Sequence, residues 1–473
     1  MTRQYDVVVL GGGIGGYTAA IRLAQLGKKV AIVEKDKLGG TCLHRGCIPS
    51  KALLRSAELY DTMKHSADFG INADSVSLNF AKVQERKQAI VDQLHKGLHF
   101  LMDKNKIEVF NGKGTIIGPS IFSPRGGTVN VELAHDEVEN LVPEHLIIAT
   151  GSRPKTLPGV HPDGKHILTS DDALLLSELP KSVIIVGGGV IGVEWASLLH
   201  DFGVDVTVVE AAANLVPAED KEISRELERL FKKRGIRLLT NAKLLPDSLA
   251  TEEDGVRLTV AHRTGETALH AEKLLLSVGR EALTDHIGLD HTEVALANGV
   301  IKVNEFMQTT ESHIYAVGDV NGGYQLAHVA AHEGLIAAEH IAGVATNPYP
   351  PRLIPRCIYT RPEIAAVGIT EDEAKAQGYE IKTGKFSFKA LGKALVLGET
   401  DGFVKVVADA KTDDLLGVHM IGPHVTDLVS EAALAQILAA APWEVGFTIH
   451  PHPTLAESLG EAMLAVDGRA INI

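Results

Sequence analysis

An α/β fold with repeated strand–turn–helix units is what this sequence predicts, and three observations carry that prediction. A short apolar run, Tyr5-Asp6-Val7-Val8-Val9-Leu10, leads into Gly11-Gly12-Gly13-Ile14-Gly15-Gly16. A second run, Val183-Ile184-Ile185-Val186, leads into Gly187-Gly188-Gly189-Val190-Ile191-Gly192. In each copy an acid, Glu34 or Glu210, stands 23 residues after the first glycine, at the end of a further apolar run.

Each element has a local reason. A β-branched apolar run stopped by glycine reads as a strand buried on both faces. After the first turn, Ala19, Ala20, Leu23 and Leu26 recur at helical spacing, Gly27 closes the helix, and Val30 to Val33 forms the next strand. The second copy has a helix to Phe202, then Gly203, then a strand from Val206 to Val209. Gly11 and Gly187 permit the tight turn, Gly13 and Gly189 let the backbone approach a pyrophosphate, and Gly16 and Gly192 allow close helix–strand packing. A pyrophosphate would then lie against free N–H groups at the positive end of a helix. Glu34 and Glu210 can each accept from a ribose 2′-hydroxyl, and a carboxylate there repels a 2′-phosphate. Ala211, Ala212, Ala213 and Asn214 follow Glu210 and bring no arginine, so the second site is expected to take NAD rather than NADP. Two Rossmann-like sites in one chain predict two redox cofactors, a flavin dinucleotide and a nicotinamide dinucleotide.

Composition sets the frame. A chain of 473 residues exceeds what one core usually organises, so two to four domains are expected. Hydrophobic and charged contents of 45% and 22% exclude a disordered or fibrous protein. No apolar run approaches the roughly 18 residues of a membrane span. The start of the chain runs straight into a strand pattern without a signal sequence, so a cytoplasmic location is expected. Lys plus Arg is 46 against 60 Asp plus Glu, a net charge of −14, with no basic block of the kind nucleic acid requires.

Only three cysteines are present, Cys42, Cys47 and Cys357, too few for a disulfide scaffold. Cys42 and Cys47 lie five apart in Leu38-Gly39-Gly40-Thr41-Cys42-Leu43-His44-Arg45-Gly46-Cys47-Ile48-Pro49-Ser50-Lys51. In a regular helix that spacing separates the Cα atoms by roughly 8.7 Å, whereas a disulfide needs less than about 7 Å. Either the two are separate buried thiols, or the backbone leaves the helix between them, for which Gly46 supplies the freedom and Pro49 suits the first turn of a new helix. A cytosolic disulfide would be catalytic or transient. Cys357 reads as a packed core thiol.

The segment Gly39 to Lys51, with the two nucleotide motifs, resembles the pyridine nucleotide–disulfide oxidoreductase family. His450-Pro451-His452-Pro453-Thr454-Leu455-Ala456-Glu457 is similar to that family's His-x-His-Pro-Thr-x-x-Glu, and Ala149-Thr150-Gly151, Val278-Gly279-Arg280 and Val317-Gly318-Asp319 extend the likeness over essentially the whole chain. The resemblance implies a redox-active Cys42–Cys47 disulfide, with Cys42 exchanging with substrate and Cys47 facing FAD. It implies His452 as base, oriented by Glu457, with Lys51 near the flavin and paired with Glu194. Thr41, Gly114, Asp319 and Ala327 are carried over as further FAD contacts, with Glu194, Leu244 and Gly279 as NAD contacts. No residues are assigned to a metal.

Within the family, the pattern is closest to members that reoxidise protein-bound dihydrolipoamide and pass hydride to NAD, and Gly417 to Pro423 with Trp443-Glu444-Val445 leans toward those of branched-chain 2-oxoacid complexes. Glutathione reductase shares the cysteine pair but generally carries arginines for NADP. Members with an additional redox pair near the C-terminus are excluded by the cysteine-free stretch Glu461 to Ile473. A non-catalytic flavoprotein would not need Cys42, Cys47, His452 and Glu457 together. The implied partners are the lipoyl domain of an acyltransferase and its basic subunit-binding domain, with no nucleic acid and no membrane. The expected organisation is an FAD-binding domain at 1–149, an NAD-binding domain at 150–275, a central segment at 276–347 completing the FAD domain, and a C-terminal α/β interface domain at 348–473 that makes a homodimer. In that domain Leu428, Val429, Ala432, Ile437 and Leu438 form a helical apolar stripe.

Overall fold

A computed structural model describes residues 2–119 and 126–472, leaving aside the side chain of Asp136. The chain divides into two compact units, one of residues 1–53, 81–155 and 280–349, the other of 54–80, 156–279 and 350–473.

The first unit is built on strand β1 (Thr2–Leu10), helix α1 (Ile14–Gln25), strand β2 (Val30–Glu34), helix α2 (Gly40–Arg45), the start of helix α3 (Cys47–Lys64, whose residues from 54 on belong to the second unit), helix α4 (Phe80–Lys104), and strands β3 (Glu108–Asn111), β4 (Lys113–Ile117), β5 (Thr128–Glu132) and β6 (Val138–Ile148). The sheet order is β3-β2-β1-β6-β5-β4, and the strand Ile314–Ala316 joins β6 in parallel. β1 pairs in parallel with β2 on one side and β6 on the other. Side chains alternate across the sheet. Val7, Val9, Ile32 and Ile147 pack with Ala19, Ala20 and Leu23 of α1, while Val8, Leu10, Ala31 and Val33 enter the core on the other face. Both faces are covered from Val7 to Leu10, which is why that part of β1 is wholly apolar, while Thr2, Arg3 and Gln4 at its start are exposed.

The second unit repeats this plan. Its parallel sheet runs Arg237–Leu239, Asp205–Val209, Ser182–Val186, Lys273–Leu276, Ile167–Thr169, with the helix Val190–Asp201 after the glycine turn. The same unit holds a five-stranded antiparallel sheet ordered Arg356–Ile358, Glu363–Gly368, Leu415–Gly422, Phe403–Asp409, Ile381–Ser387. One face packs on the helices Val425–Ile437 and Glu457–Ala465 through Val429, Ala432, Leu459 and Met463. Of the predicted stripe, Val429 and Ala432 are buried, whereas Ile437 and Leu438 stand open, as do Phe447 and Ile449 at 82% and 96% exposure. Among the described residues no helix is long and apolar enough to cross a membrane.

The two glycine turns share their backbone course at the first and last glycine. Gly11 and Gly187 take φ of +110° and +111°, a region that favours glycine. A Cβ on Gly16 would lie 2.0 Å from the carbonyl oxygen of Gly11, and one on Gly192 1.8 Å from that of Gly187. Relieving such a contact in a closed core costs roughly 1–3 kcal/mol, so Gly16→Ala is expected to weaken flavin retention about tenfold or more. Flavin content per purified chain checks this, and wild-type occupancy in Gly16→Ala would contradict the packing argument.

Candidate active site

The nucleotide turns supply the anion sites. Gly13 and Gly189 are the N-cap residues of α1 and of Val190–Asp201, both in extended conformation, with no side-chain cap and no acid in the first turn. The first N–H groups of each helix therefore lack a protein acceptor from capping, which suits a pyrophosphate. A Cβ on Gly189 would meet nothing within 4 Å, leaving room for a ligand. At the first site α2 closes the cradle, since a Cβ on Gly40 would lie 2.7 Å from the Cα of Gly13. The residues present fit two dinucleotides.

The two acids hold the turns from below. Glu34 accepts from the N–H groups of Gly12 at 2.7 Å and Asp36 at 2.8 Å. Glu210 accepts from Gly188 at 2.5 Å and Ala212 at 2.6 Å. Burial pushes the Glu34 carboxyl above its usual range, and the Gly12 N–H only partly offsets it.

Cys42 on α2 and Cys47 on α3 form a disulfide with their Cα atoms 4.7 Å apart. The helix breaks at Gly46, at φ −148° and ψ −114°, and restarts at Cys47. That break removes nearly half of the separation a continuous helix would impose, enough to bring the pair within disulfide reach. Thr41 precedes Cys42 on α2, and Lys51 lies in the first turns of α3. Cys357 is partly buried against the C-terminal core.

Asp319 lies in the turn Gly318–Asn321 after the strand Ile314–Ala316. Its carboxylate accepts from the Ser152 hydroxyl, and Arg280 donates to the Ser152 oxygen at 2.8 Å and to its carbonyl at 2.9 Å. Gly318 N–H donates to buried Glu333 at 2.6 Å, and Asn321 and Tyr349 donate to the same carboxylate at 3.0 Å. Ala327 opens the helix Ala327–Ile341, so its N–H has no intrahelical partner. Gly114 sits on β4, where a Cβ would strike Leu10 and Val33.

In the second unit Glu194 lies in the first turns of Val190–Asp201 and accepts from the Tyr359 N–H at 2.9 Å. Leu244 is buried, and Gly279 takes φ +105°. His452 Nδ1 meets Glu457 at 2.8 Å, and the other oxygen of Glu457 accepts from the Thr454 N–H at 2.8 Å. Because a carboxylate only accepts, Nδ1 carries a proton, and in the neutral ring the lone pair is therefore on Nε2. Burial pushes Glu457 up, but the His452 and Thr454 hydrogen bonds and nearby histidine charge outweigh it and hold the carboxyl below its usual range. His450 makes its own dyad, Nε2 to Glu431 at 2.8 Å. The two histidines differ in access: the His452 side chain is 78% exposed and that of His450 9%.

Thus Cys42 and Cys47 are joined, as are His452 and Glu457, the first pair in the first unit and the second in the other. Sequence reasoning missed Ser152, Glu333 and Glu431. Glu333 was findable as a lone acid on the apolar side of Ala327–Ile341, but Glu431 meets His450 across 19 residues without any periodic signal.

Residues 5–334 match the family described as pyridine nucleotide-disulphide oxidoreductase. The chain belongs to that family. Residues 354–463 match the family's dimerisation domain, which supports a homodimer and gives the exposed Phe447 and Ile449 a reason. A dihydrolipoyl dehydrogenase of Bacillus subtilis is 62% identical, with 100% of both chains covered. One of Zymomonas mobilis is 43% identical over the same share. The solved structure of LpdA from Mycobacterium tuberculosis matches with a TM-score of 0.90 at 28% identity, covering 97% of this chain and 98% of that one. The chain is a flavoprotein disulfide oxidoreductase of this family, and its cofactors are FAD and NAD.

The His450–Glu431 pair yields a prediction with a definite sign. The hydrogen bond to Glu431 raises the His450 pKa against the opposing effect of burial. Its stabilisation is then fully present below the unfolded histidine value of about 6.5 and is lost as pH rises through the higher folded value. Glu431→Gln should lower the melting temperature by a larger margin near pH 6 than near pH 9, read by thermal unfolding of the holoenzyme. An equal deficit at both would contradict the charged pair.

Proposed function

We propose that the chain reoxidises the dihydrolipoamide of a 2-oxoacid dehydrogenase complex and delivers the electrons to NAD. The single observation that carries the reading is the continuity of disulfide and cradle: the helix bearing Cys42 begins at Gly40, against Gly13 of the first glycine turn. A dithiol that exchanges with this disulfide is therefore handled beside the first dinucleotide. The identity with dihydrolipoyl dehydrogenases over the full chain supports lipoamide as the dithiol.

His452 Nε2 takes the proton of one lipoyl thiol, because the thiolate is the competent nucleophile. Glu457 holds the ring in that tautomer and stabilises its charged form. The thiolate attacks Cys42 Sγ, the Cys42–Cys47 bond breaks, and Cys47 leaves as thiolate. The second lipoyl thiol then displaces Cys42 and its proton passes to the Cys42 sulfur, so that lipoamide departs as a disulfide and leaves a Cys42 thiol, a Cys47 thiolate and a protonated His452. FAD held in the first cradle would supply a two-electron acceptor beside Cys47, so that the cysteines reclose to the disulfide as they give up their electron pair, and NAD held at the second turn would then accept hydride. Thr41, Lys51, Gly114, Asp319 and Ala327 are assigned to the flavin, and Glu194, Leu244 and Gly279 with Glu210 to NAD. Glu210 selects NAD, since its carboxylate occupies the place a 2′-phosphate would need.

In the homodimer, His452 serves the disulfide of the other subunit. The proposed partners are the lipoyl domain of an acyltransferase and its basic subunit-binding domain, with which the net charge of −14 is compatible. The working compartment is the cytoplasm, where a disulfide of this kind is catalytic.

His452→Gln tests the assignment. The variant should retain flavin and still reduce an artificial dye with NADH, while dihydrolipoamide turnover falls by roughly 10²–10⁴-fold, the usual value of a positioned base. Turnover within a few-fold of wild type would remove His452 from the chemistry.

A further inference from the structure

Helix α4 carries a pair of histidines that none of the foregoing chemistry uses. His95 and His99 are four residues apart, the spacing that places two side chains on one face of a helix. Their Nε2 atoms lie 3.2 Å apart. Two Zn–N bonds of about 2.0–2.1 Å at a tetrahedral angle would put the nitrogens about 3.3–3.4 Å apart, and a right angle about 2.8–3.0 Å. The observed separation falls between the two.

The outer face of His95 is also arranged as in a metal ligand. Its Nδ1 meets the backbone carbonyl of Leu38 at 2.9 Å. A carbonyl oxygen only accepts, so the proton is on Nδ1 and the lone pair of neutral His95 is on Nε2, where it accepts from the His99 Nε2–H; a cation held by both rings replaces that proton, which moves to His99 Nδ1 or to water. A ring N–H donated to a carbonyl is the usual support behind a metal-bound histidine, fixing both tautomer and orientation. The carbonyl is itself held rigidly: Leu38 is 1% exposed, and His44 Nε2 meets the same oxygen at 2.9 Å. The rings of His44 and His95 pack edge to face with centroids 5.0 Å apart, which further restrains His95. His99 is exposed, so the pair is open to solvent on its outer side.

We infer that His95 and His99 form a divalent transition-metal site, a two-imidazole chelate completed by water. The ligand class follows from the donors: imidazole favours Zn(II), Cu(II) and Ni(II) over Mg(II) and Ca(II), which prefer oxygen. With two protein ligands the site is exchangeable rather than structural. It is independent of the reading of the disulfide and of lipoamide.

The test is a calorimetric titration of Zn(II) into tag-free holoenzyme at neutral pH, with Cys42 and Cys47 kept oxidised so that their thiolates do not compete and with Cys357→Ser as the background, since Cys357 is a thiol outside the disulfide. One equivalent should bind to that background. It should weaken in His99→Gln and in His95→Gln by at least the roughly 10–100-fold that losing even an outer-shell partner costs. Because His99 is exposed, His99→Gln should fold and keep its flavin, which absorbance verifies. The exposed group Glu252, Asp254 and His270 is the rival locus, and His270→Gln should leave the strong equivalent in place. Zn(II) binding unchanged in both α4 variants, loss of the equivalent in His270→Gln, or no binding to the background itself would overturn the site.

Discussion

A methyl group on Gly16 would lie 2.0 Å from the carbonyl oxygen of Gly11, and one on Gly192 would lie 1.8 Å from that of Gly187. Helix and strand meet there backbone to backbone, and the rest of each site depends on that closeness. It draws the start of α1, and of its counterpart in the second unit, into the crook of the turn, so that Gly13 and Gly189 present uncapped N–H groups to a ligand. It also places Gly12 and Gly188 within reach of Glu34 and Glu210. The uncapped helix start and the reach of the acid to the turn thus follow from one contact, made twice.

The disulfide inherits its position from the first of these turns. Gly40 packs on Gly13, α2 runs on from Gly40, and the break at Gly46 brings Cys47 back to Cys42. The sulfur chemistry needs no separate scaffold. The base proposed for that chemistry has its own scaffold in the second unit, where Glu457 opens a helix and satisfies both His452 and the Thr454 backbone. An acid at a helix N-terminus is stabilised by the helix dipole, which keeps it ionised for the imidazole.

Much of this was legible in the sequence, because its causes are local. Glycine at fixed offsets, a β-branched run before it and an acid after it are short-range requirements, and so is the spacing of His452 and Glu457. What was not legible depends on long-range geometry. Ser152 supports Asp319 from 167 residues away, and Glu431 meets His450 from a neighbouring helix. The openness of Ile437 and Leu438 was hidden for a related reason: an apolar stripe looks the same whether it meets a core or a second subunit. His95 and His99 are an intermediate case. Their spacing on α4 is visible in the sequence, but the Leu38 carbonyl that sets the tautomer of His95 is not.

The central claim is that electrons pass from a lipoyl dithiol through Cys42 and Cys47 to the flavin and then to NAD. Anaerobic titration of the oxidised holoenzyme with dihydrolipoamide, followed by absorbance and then by addition of NAD, tests it most directly. The account predicts a long-wavelength band from the Cys47 thiolate beside the flavin, and NADH in proportion to the dithiol added. A flat spectrum with dihydrolipoamide, together with reduction by NADPH and turnover of glutathione disulfide, would contradict both the substrate and the role of Glu210.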